Sequence, residues 1–387
     1  MKVLVLLSRV PYPLEKGDKL RAFNQIKWLA RGHQVVLCCL NAQRLHPDAL
    51  KVLKPFCAEI KIIRIHRLFI FFRLVAGLFS QKPLQVHYFY SKRAQKIIDR
   101  LIEKHLPKHL YCQLVRIAEY ARKYTVLTKT LDYMDALSTG AERRIQGAPF
   151  YLRPLLRLEA RRLITYESMV YNDFQHHTII SLQDRELIHH TDKNNISIIP
   201  NGVDMEFFQP RQQERQYDLL FTGNMSYPPN VRAARYIVKS ILPLLIAQRP
   251  NLRVLIAGAS PAPTVKSLQS EQVHISGWVE DIRDCYAQSR ILIAPMQIGT
   301  GLQNKLLEGM AMQLPCITSA LANNALQAPA GRAVLIGNSP EEYAQLVLTL
   351  LDDPSLFESI SHAGYQFVKQ HYNWQQTTNQ LQQLMKG

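Results

Sequence analysis

The chain has 387 residues, 47% of them hydrophobic, with no low-complexity tract; this exceeds what one core usually supports and implies two packed domains. The formal net charge of +17 is uneven: Met1 to Asp204 holds 33 Lys and Arg against 17 Asp and Glu, the remainder 14 against 13. Six cysteines without C-x-x-C spacing argue against a structural zinc site and for free thiols in a reducing compartment.

Lys2 to Leu7 is too short an apolar run for a signal peptide and reads as a buried first strand. Helical spacing follows from Leu20 to Arg31, with Gly32 as a stop, then a strand over Gln34 to Leu40. Further strands are expected at Ile60 to Ile65, Leu110 to Leu114, Tyr124 to Asp132 and Thr178 to Leu182. Helices are expected at Ala94 to His105 and, strongly basic, at Pro154 to Tyr171. The most apolar stretch, Leu68 to Phe79, is interrupted by Arg73 and is shorter than a membrane span. Ile196 to Pro210 reads as a strand and turn opening an interdomain linker that ends near Gln216. Alternation then resumes: strands at Leu219–Thr222, Arg253–Gly258, Val273–Ser276, Ile291–Ala294, Pro315–Thr318 and Ala333–Ile336. The intervening helices are Val231–Leu245, Ile282–Gln288, Leu302–Met312 and Pro340–Leu351, followed by Ile360–Tyr372 and Trp374–Leu384. Such alternation predicts parallel sheets covered on both faces.

The most informative segment runs from Ala294 to Gly309. A buried strand leads through a glycine-rich loop into a helix, which exposes unpaired N–H groups at the positive end of a dipole. Lys305 adds a cation, and Glu308 lies just beyond it on the same helix. A carboxylate beside a phosphate cradle suits ribose hydroxyls as donors, so the segment reads as a nucleotide-diphosphate pocket. The plainer reading is an ordinary strand–loop–helix joint with an ion pair.

In the first half, Pro11 to Arg21 follows the first strand and should face a ligand cleft, with Gly17, Asp18 and Arg21 as candidates. It holds a single Gly and no dinucleotide fingerprint; helix capping by Asp18 is the structural alternative. Asp132 and Asp135, three apart at a strand end, can accept a proton or balance developing positive charge; a cap plus a surface acid is the alternative. Arg143, Arg144, Arg153, Arg157, Arg161 and Arg162 suit an anionic membrane or a phosphorylated acceptor, or else form a solvated face paired with Glu159 and Glu167. The Leu68–Phe79 stretch, with basic flanks, suits either a bilayer interface or the core. The histidine pairs 176–177 and 189–190 lack ligand spacing, and no D-x-D is present, so neither metal nor cofactor is expected.

Two motifs together, I-I-P-N-G-V-D (Ile198 to Asp204) and the stretch from Ser276 to Thr318, resemble glycosyltransferase family 4 with its GT-B fold. F-T-G-N-M-S-Y-P-P-N-V-R-A and L-D-Y-M-D-A-L-S are most similar to bacterial exopolysaccharide-associated sugar transferases. The resemblance implies two doubly wound Rossmann-like domains facing an interdomain cleft. An N-terminal acceptor-binding domain would span 1–200, completed by a helix at 373–387, and a nucleotide-sugar-binding domain 201–372. It implies a retaining transfer from a nucleotide-sugar to a glycan or lipid-linked acceptor, in the cytoplasm at the inner face of the plasma membrane. By position, Glu308 matches the ribose glutamate; Gly301, Leu302 and Gln303 the diphosphate loop; Gly277, Trp278 and Val279 the turn that meets the base. Gly223 and Asn224 match the first turn of the second domain, where relatives carry Arg and then Lys; Lys305 is the candidate replacement charge. Thr300 stands where the family has the first of two glutamates eight apart, near the donor sugar. A non-catalytic GT-B binding subunit is the alternative. Nucleic acid is not an expected partner, because few aromatics stand among the basic residues.

Overall fold

The structure, a computed structural model, describes every residue except Glu15, Gly299, Thr300, Gly387 and the side chain of Gln146. It divides into two compact units: Met1–Pro200 with Thr377–Gly387, and Asn201–Gln376.

The first unit holds a parallel sheet of β1 (Lys2–Leu7), β2 (Gln34–Asn41), β3 (Glu59–Arg64), β4 (His109–Gln113), β5 (Thr128–Met134), β6 (His176–Ile179) and β7 (Ser197–Ile198), in the order β3-β2-β1-β4-β5-β6-β7. The uninterrupted apolar run of β1 follows from burial on both faces. Val3, Val5 and Leu7 join one core with Ile26 and Leu29 of helix α1 (Gly17–Leu29); Leu4 and Leu6 join the other. Three further helices matter below: α2 (Arg67–Leu78), α3 (Leu84–Phe89) and α4 (Arg153–Tyr171).

The second unit repeats the plan with β8 (Tyr217–Thr222), β9 (Val254–Ala257), β10 (Val273–Gly277), β11 (Ser289–Ala294), β12 (Cys316–Thr318) and β13 (Leu335–Ile336), in the order β10-β9-β8-β11-β12-β13. Helix α5 (Pro228–Tyr236) follows β8 and α6 (Asn304–Ala311) follows β11. The last helix, α7 (Trp374–Leu384), carries the chain from the second unit into the first. There Leu381, and Met385 just past the helix end, pack in the same core as α1. In each sheet the order reverses between the first strand and the fourth, at β1/β4 and at β8/β11. Open parallel sheets bind ligands beyond the strand carboxyl ends at such points.

Several boundaries differ from the periodicity. β5 starts at Thr128, because Tyr124 closes a turn onto Ala121 O. β6 ends at Ile179, since Ser181 Oγ accepts from Asp184 N at 3.1 Å and starts a helix at Leu182. The helix expected from Ile360 begins at Pro354, where Asp353 accepts from Leu356 N at 3.0 Å. The I-I-P-N-G-V-D motif has a steric cause in the second unit. Segments 201–203 and 372–374 run side by side, with Val203 N donating to Tyr372 O at 2.7 Å. A Cβ on Gly202 would stand 2.5 Å from Trp374 N.

Candidate active site

The second unit gathers its functional groups at the β8/β11 switch point. β8 ends at Thr222 and is followed by Gly223 and Asn224; β11 ends at Ala294, and α6 begins at Asn304. Among the described residues no side chain caps α6; Leu306 N donates to Gln303 O at 3.0 Å, which leaves the amides ahead of it for a ligand. Gln303 Nε2 donates to Gly301 O at 2.8 Å, and among the described residues no atom outside its chain neighbours lies within 4 Å of where a Cβ on Gly301 would stand. Leu302 packs partly against the core. Thr300 lies outside the described residues.

Lys305 and Glu308 face a shared cluster. Lys305 is buried; its Nζ donates to Asn230 Oδ1 at 2.8 Å and lies 4.6 Å from the centre of the Phe221 ring. Burial pushes its ammonium down to about 7, with Glu308 opposing. Glu308 is half-buried; its Oε2 accepts from Tyr286 Oη at 2.7 Å. That hydroxyl is also 2.9 Å from Thr222 Oγ1. Burial raises the Glu308 carboxyl above its usual range, against the Tyr286 hydrogen bond and Lys305. Among the described residues Oε1 has no hydrogen-bond partner, so one carboxylate oxygen remains for a hydroxyl donor.

Asn230 was not singled out by the sequence, yet it joins both sides of the switch point. It holds Lys305 through Oδ1, and its Nδ2 donates to Asn224 O at 3.0 Å. The ammonium therefore reaches the β8 turn from α6.

Backbone approach fixes the neighbouring turns. Gly223 (φ +149°) and Gly258 (φ +138°) lie in the region that favours glycine, and a Cβ on Gly258 would stand 1.9 Å from Gly223 O. Gly258→Ala is expected to destabilise the second unit by about 2 kcal/mol or more. A lowered urea midpoint checks this; an unchanged midpoint contradicts it. Gly277 (φ +68°) accepts from Gly258 N at 3.0 Å. Trp278 beyond it is 65% exposed, and Val279 packs partly on the core.

The first unit revises two expectations. Arg21 and Asp132 are fully buried and bind each other, with Nε to Oδ2 at 2.6 Å and Nη2 to Oδ1 at 3.1 Å. Arg21 Nη1 donates to Ile199 O at 2.8 Å; Thr178 Oγ1 donates to Asp132 Oδ1 at 2.9 Å, and Tyr111 Oη lies 2.7 Å from Oδ2. No face of either group meets solvent, so Asp132 is not a catalytic group here and Arg21 is not a donor-binding one. Together they bind α1, β4, β5 and β6 into one body.

Asp18 is shared by Arg9 at 2.9 Å and Arg116 at 3.3 Å rather than capping α1. Arg116 escaped the sequence reading; burial, then Arg9, pushes it down to about 10. Gly17 opens α1, and among the described residues no atom outside its chain neighbours lies within 4 Å of where a Cβ would stand. Asp135 is the accessible carboxylate of the pair. It is open to water, yet solvent loss is the largest cause of its rise to about 6, followed by Asp184 and resisted by Arg116. A carboxyl can be open on one side and crowded on the others. No cluster of three His, Cys, Asp or Glu suited to a metal occurs among the described residues.

The order of both sheets and the cluster at β8/β11 define a two-unit α/β protein of the GT-B class. Known proteins agree. The family model described as Glycosyl transferases group 1 matches residues 216–353. Sucrose-phosphate synthase from Thermosynechococcus elongatus superimposes with a TM-score of 0.72 at 14% identity, covering 100% of this chain and 98% of that one. Anabaena HepE in complex with UDP and glucose gives 0.70 at 12%, covering 99% of each. A Klebsiella pneumoniae protein from a cps region, described as uncharacterized, is 21% identical over 96% of both chains. The second unit thus carries a group 1 glycosyltransferase domain, and the chain as a whole shares the GT-B fold of these structures.

Proposed function

We propose that the chain is a retaining glycosyltransferase. It moves a sugar from a nucleotide-sugar donor to a glycan or lipid-linked acceptor, in polysaccharide or glycoconjugate biosynthesis. The observation that carries this is Lys305 and Glu308 on one turn of α6, at the β8/β11 switch point, with Glu308 Oε1 left open. The amides of Gly301, Leu302, Gln303 and the start of α6 meet the diphosphate, helped by Lys305. Glu308 accepts the ribose hydroxyls, and the Gly277–Val279 turn meets the base. The reading requires no metal or cofactor, since amides and one ammonium answer the diphosphate charge. HepE, bound to UDP in its crystals, supports a UDP-sugar as donor, and the cps-region relative supports polysaccharide assembly. The acceptor belongs to the basic first unit, where Asp135 is the carboxylate open to its hydroxyl proton. The enzyme works in the cytoplasm, at the anionic inner face of the plasma membrane.

A thermal-shift series with UDP-, GDP- and ADP-sugars tests this. At ligand well above its dissociation constant, UDP-sugars should raise the midpoint by several degrees, from about 2.7 kcal/mol of binding linkage at a hundredfold excess. No response to any of the three contradicts the proposal. Lys305 adds a pH dependence. A diphosphate diester binds the charged ammonium, which is lost as pH rises through about 7. Donor affinity should therefore fall on the alkaline side, by up to about tenfold per pH unit. Calorimetric titration across that range checks it; a flat profile removes Lys305 from the diphosphate site.

A further inference from the structure

We propose that α2 and the segment 150–158, on the first unit, form one docking face for an anionic lipid bilayer. The proposal rests on the membrane reading above and names the surface that serves it. α2 turns Leu68, Phe69, Phe71 and Phe72 outward, each at least 60% exposed, and Phe79 at its end is 90% exposed. Only Ile70 and Gly77 of this helix are buried. A helix serving the core would bury its large residues instead. A second apolar strip lies at the start of α4, where Phe150 is 80% and Tyr151 66% exposed.

The two strips belong to one surface. Arg162 of α4 donates from Nη1 to Gly77 O and from Nη2 to Leu78 O, both at 2.8 Å, and so grips the end of α2. Glu159 of α4 accepts from Leu84 N at 2.6 Å and Gln85 N at 3.0 Å, at the start of α3. These bonds also decide the charge of the face. Glu159 and Glu167, the candidate partners of the α4 arginines, are turned inward; Glu167 is fully buried and accepts from Ser138 N. Arg153, Arg157 and Arg161 are exposed and have no carboxylate partner among the described residues. From Ile60 to Ile98 the sequence holds eight Lys or Arg and no Asp or Glu.

Exposed phenylalanines bordered by cations, without carboxylates, match a bilayer interface carrying anionic headgroups. Rings enter the acyl boundary while guanidinium groups stay with phosphates. No helix among the described residues is long and apolar enough to cross a membrane.

Flotation of the full chain with vesicles tests the proposal. Vesicles of phosphatidylglycerol mixed with phosphatidylcholine should carry the protein; phosphatidylcholine alone should carry at least about tenfold less. Phe71→Ser with Phe72→Ser should weaken binding by roughly tenfold or more, and Arg153→Glu with Arg157→Glu by a similar factor. Both pairs are exposed and should keep the wild-type midpoint and its shift by UDP-sugars. Absence of flotation with anionic vesicles overturns the proposal, as does equal binding to neutral ones. Self-association abolished by the phenylalanine pair, without vesicle binding, also overturns it by making the face a protein interface. Donor binding is read separately, so loss of the donor site and loss of the docking face give different results.

Discussion

Glu308→Gln should abolish most transfer while leaving the fold intact. The glutamine can still accept from Tyr286, so the packing around β11 and α6 persists. It removes the charge that faces Lys305 and replaces a two-oxygen acceptor with an amide. A hydrogen bond to a charged group contributes about 1.5–3 kcal/mol, and a loss felt at the transition state lowers kcat/KM by the corresponding factor. We expect a fall of roughly 10- to 150-fold, with weaker donor binding. Steady-state kinetics with the donor found by thermal shift checks this. A variant that keeps wild-type kcat/KM removes Glu308 from the site.

The second large effect is on stability. Asp132→Ala leaves the Arg21 guanidinium buried without its carboxylate, which should destabilise the first unit by about 3–5 kcal/mol. In a unit of this size that is a fall in midpoint of about 6–20 °C. Arg21→Met with Asp132→Leu removes both charges and should be less damaging than Asp132→Ala alone, because an apolar pair has no desolvation penalty. Calorimetry on the three proteins distinguishes the roles. If Asp132 were catalytic, Asp132→Ala would lose activity and keep its midpoint; that outcome contradicts the structural assignment.

Asp132 shows where local sequence is uninformative. L-D-Y-M-D places two acids at a strand end, and nothing nearby tells which one is sealed. The partner that decides it, Arg21, lies 111 residues away. Arg116 and Arg9 converge on Asp18 through the β1/β4 order, again a fact of topology rather than of motif. Asn230 and Tyr286 escaped for the same reason: an asparagine in the first turn of one helix and a tyrosine within another carry no signal until the strands are placed side by side. The strands themselves were legible, because parallel strands buried on both faces are written as unbroken apolar runs. The α6 segment was legible because its chemistry is local: strand, glycine loop, helix start, Lys305 and Glu308 within twenty residues. Helix starts were less so. Asp353 and Ser181 are capping residues whose effect depends on the following backbone, which periodicity alone does not supply.

A crystal of the chain grown with UDP tests the account most directly. The ribose hydroxyls should lie within hydrogen-bond distance of Glu308, and the diphosphate oxygens should meet the first amides of α6 with the Lys305 ammonium close by. Nucleotide density anywhere else on the molecule, with α6 left bare, would contradict it.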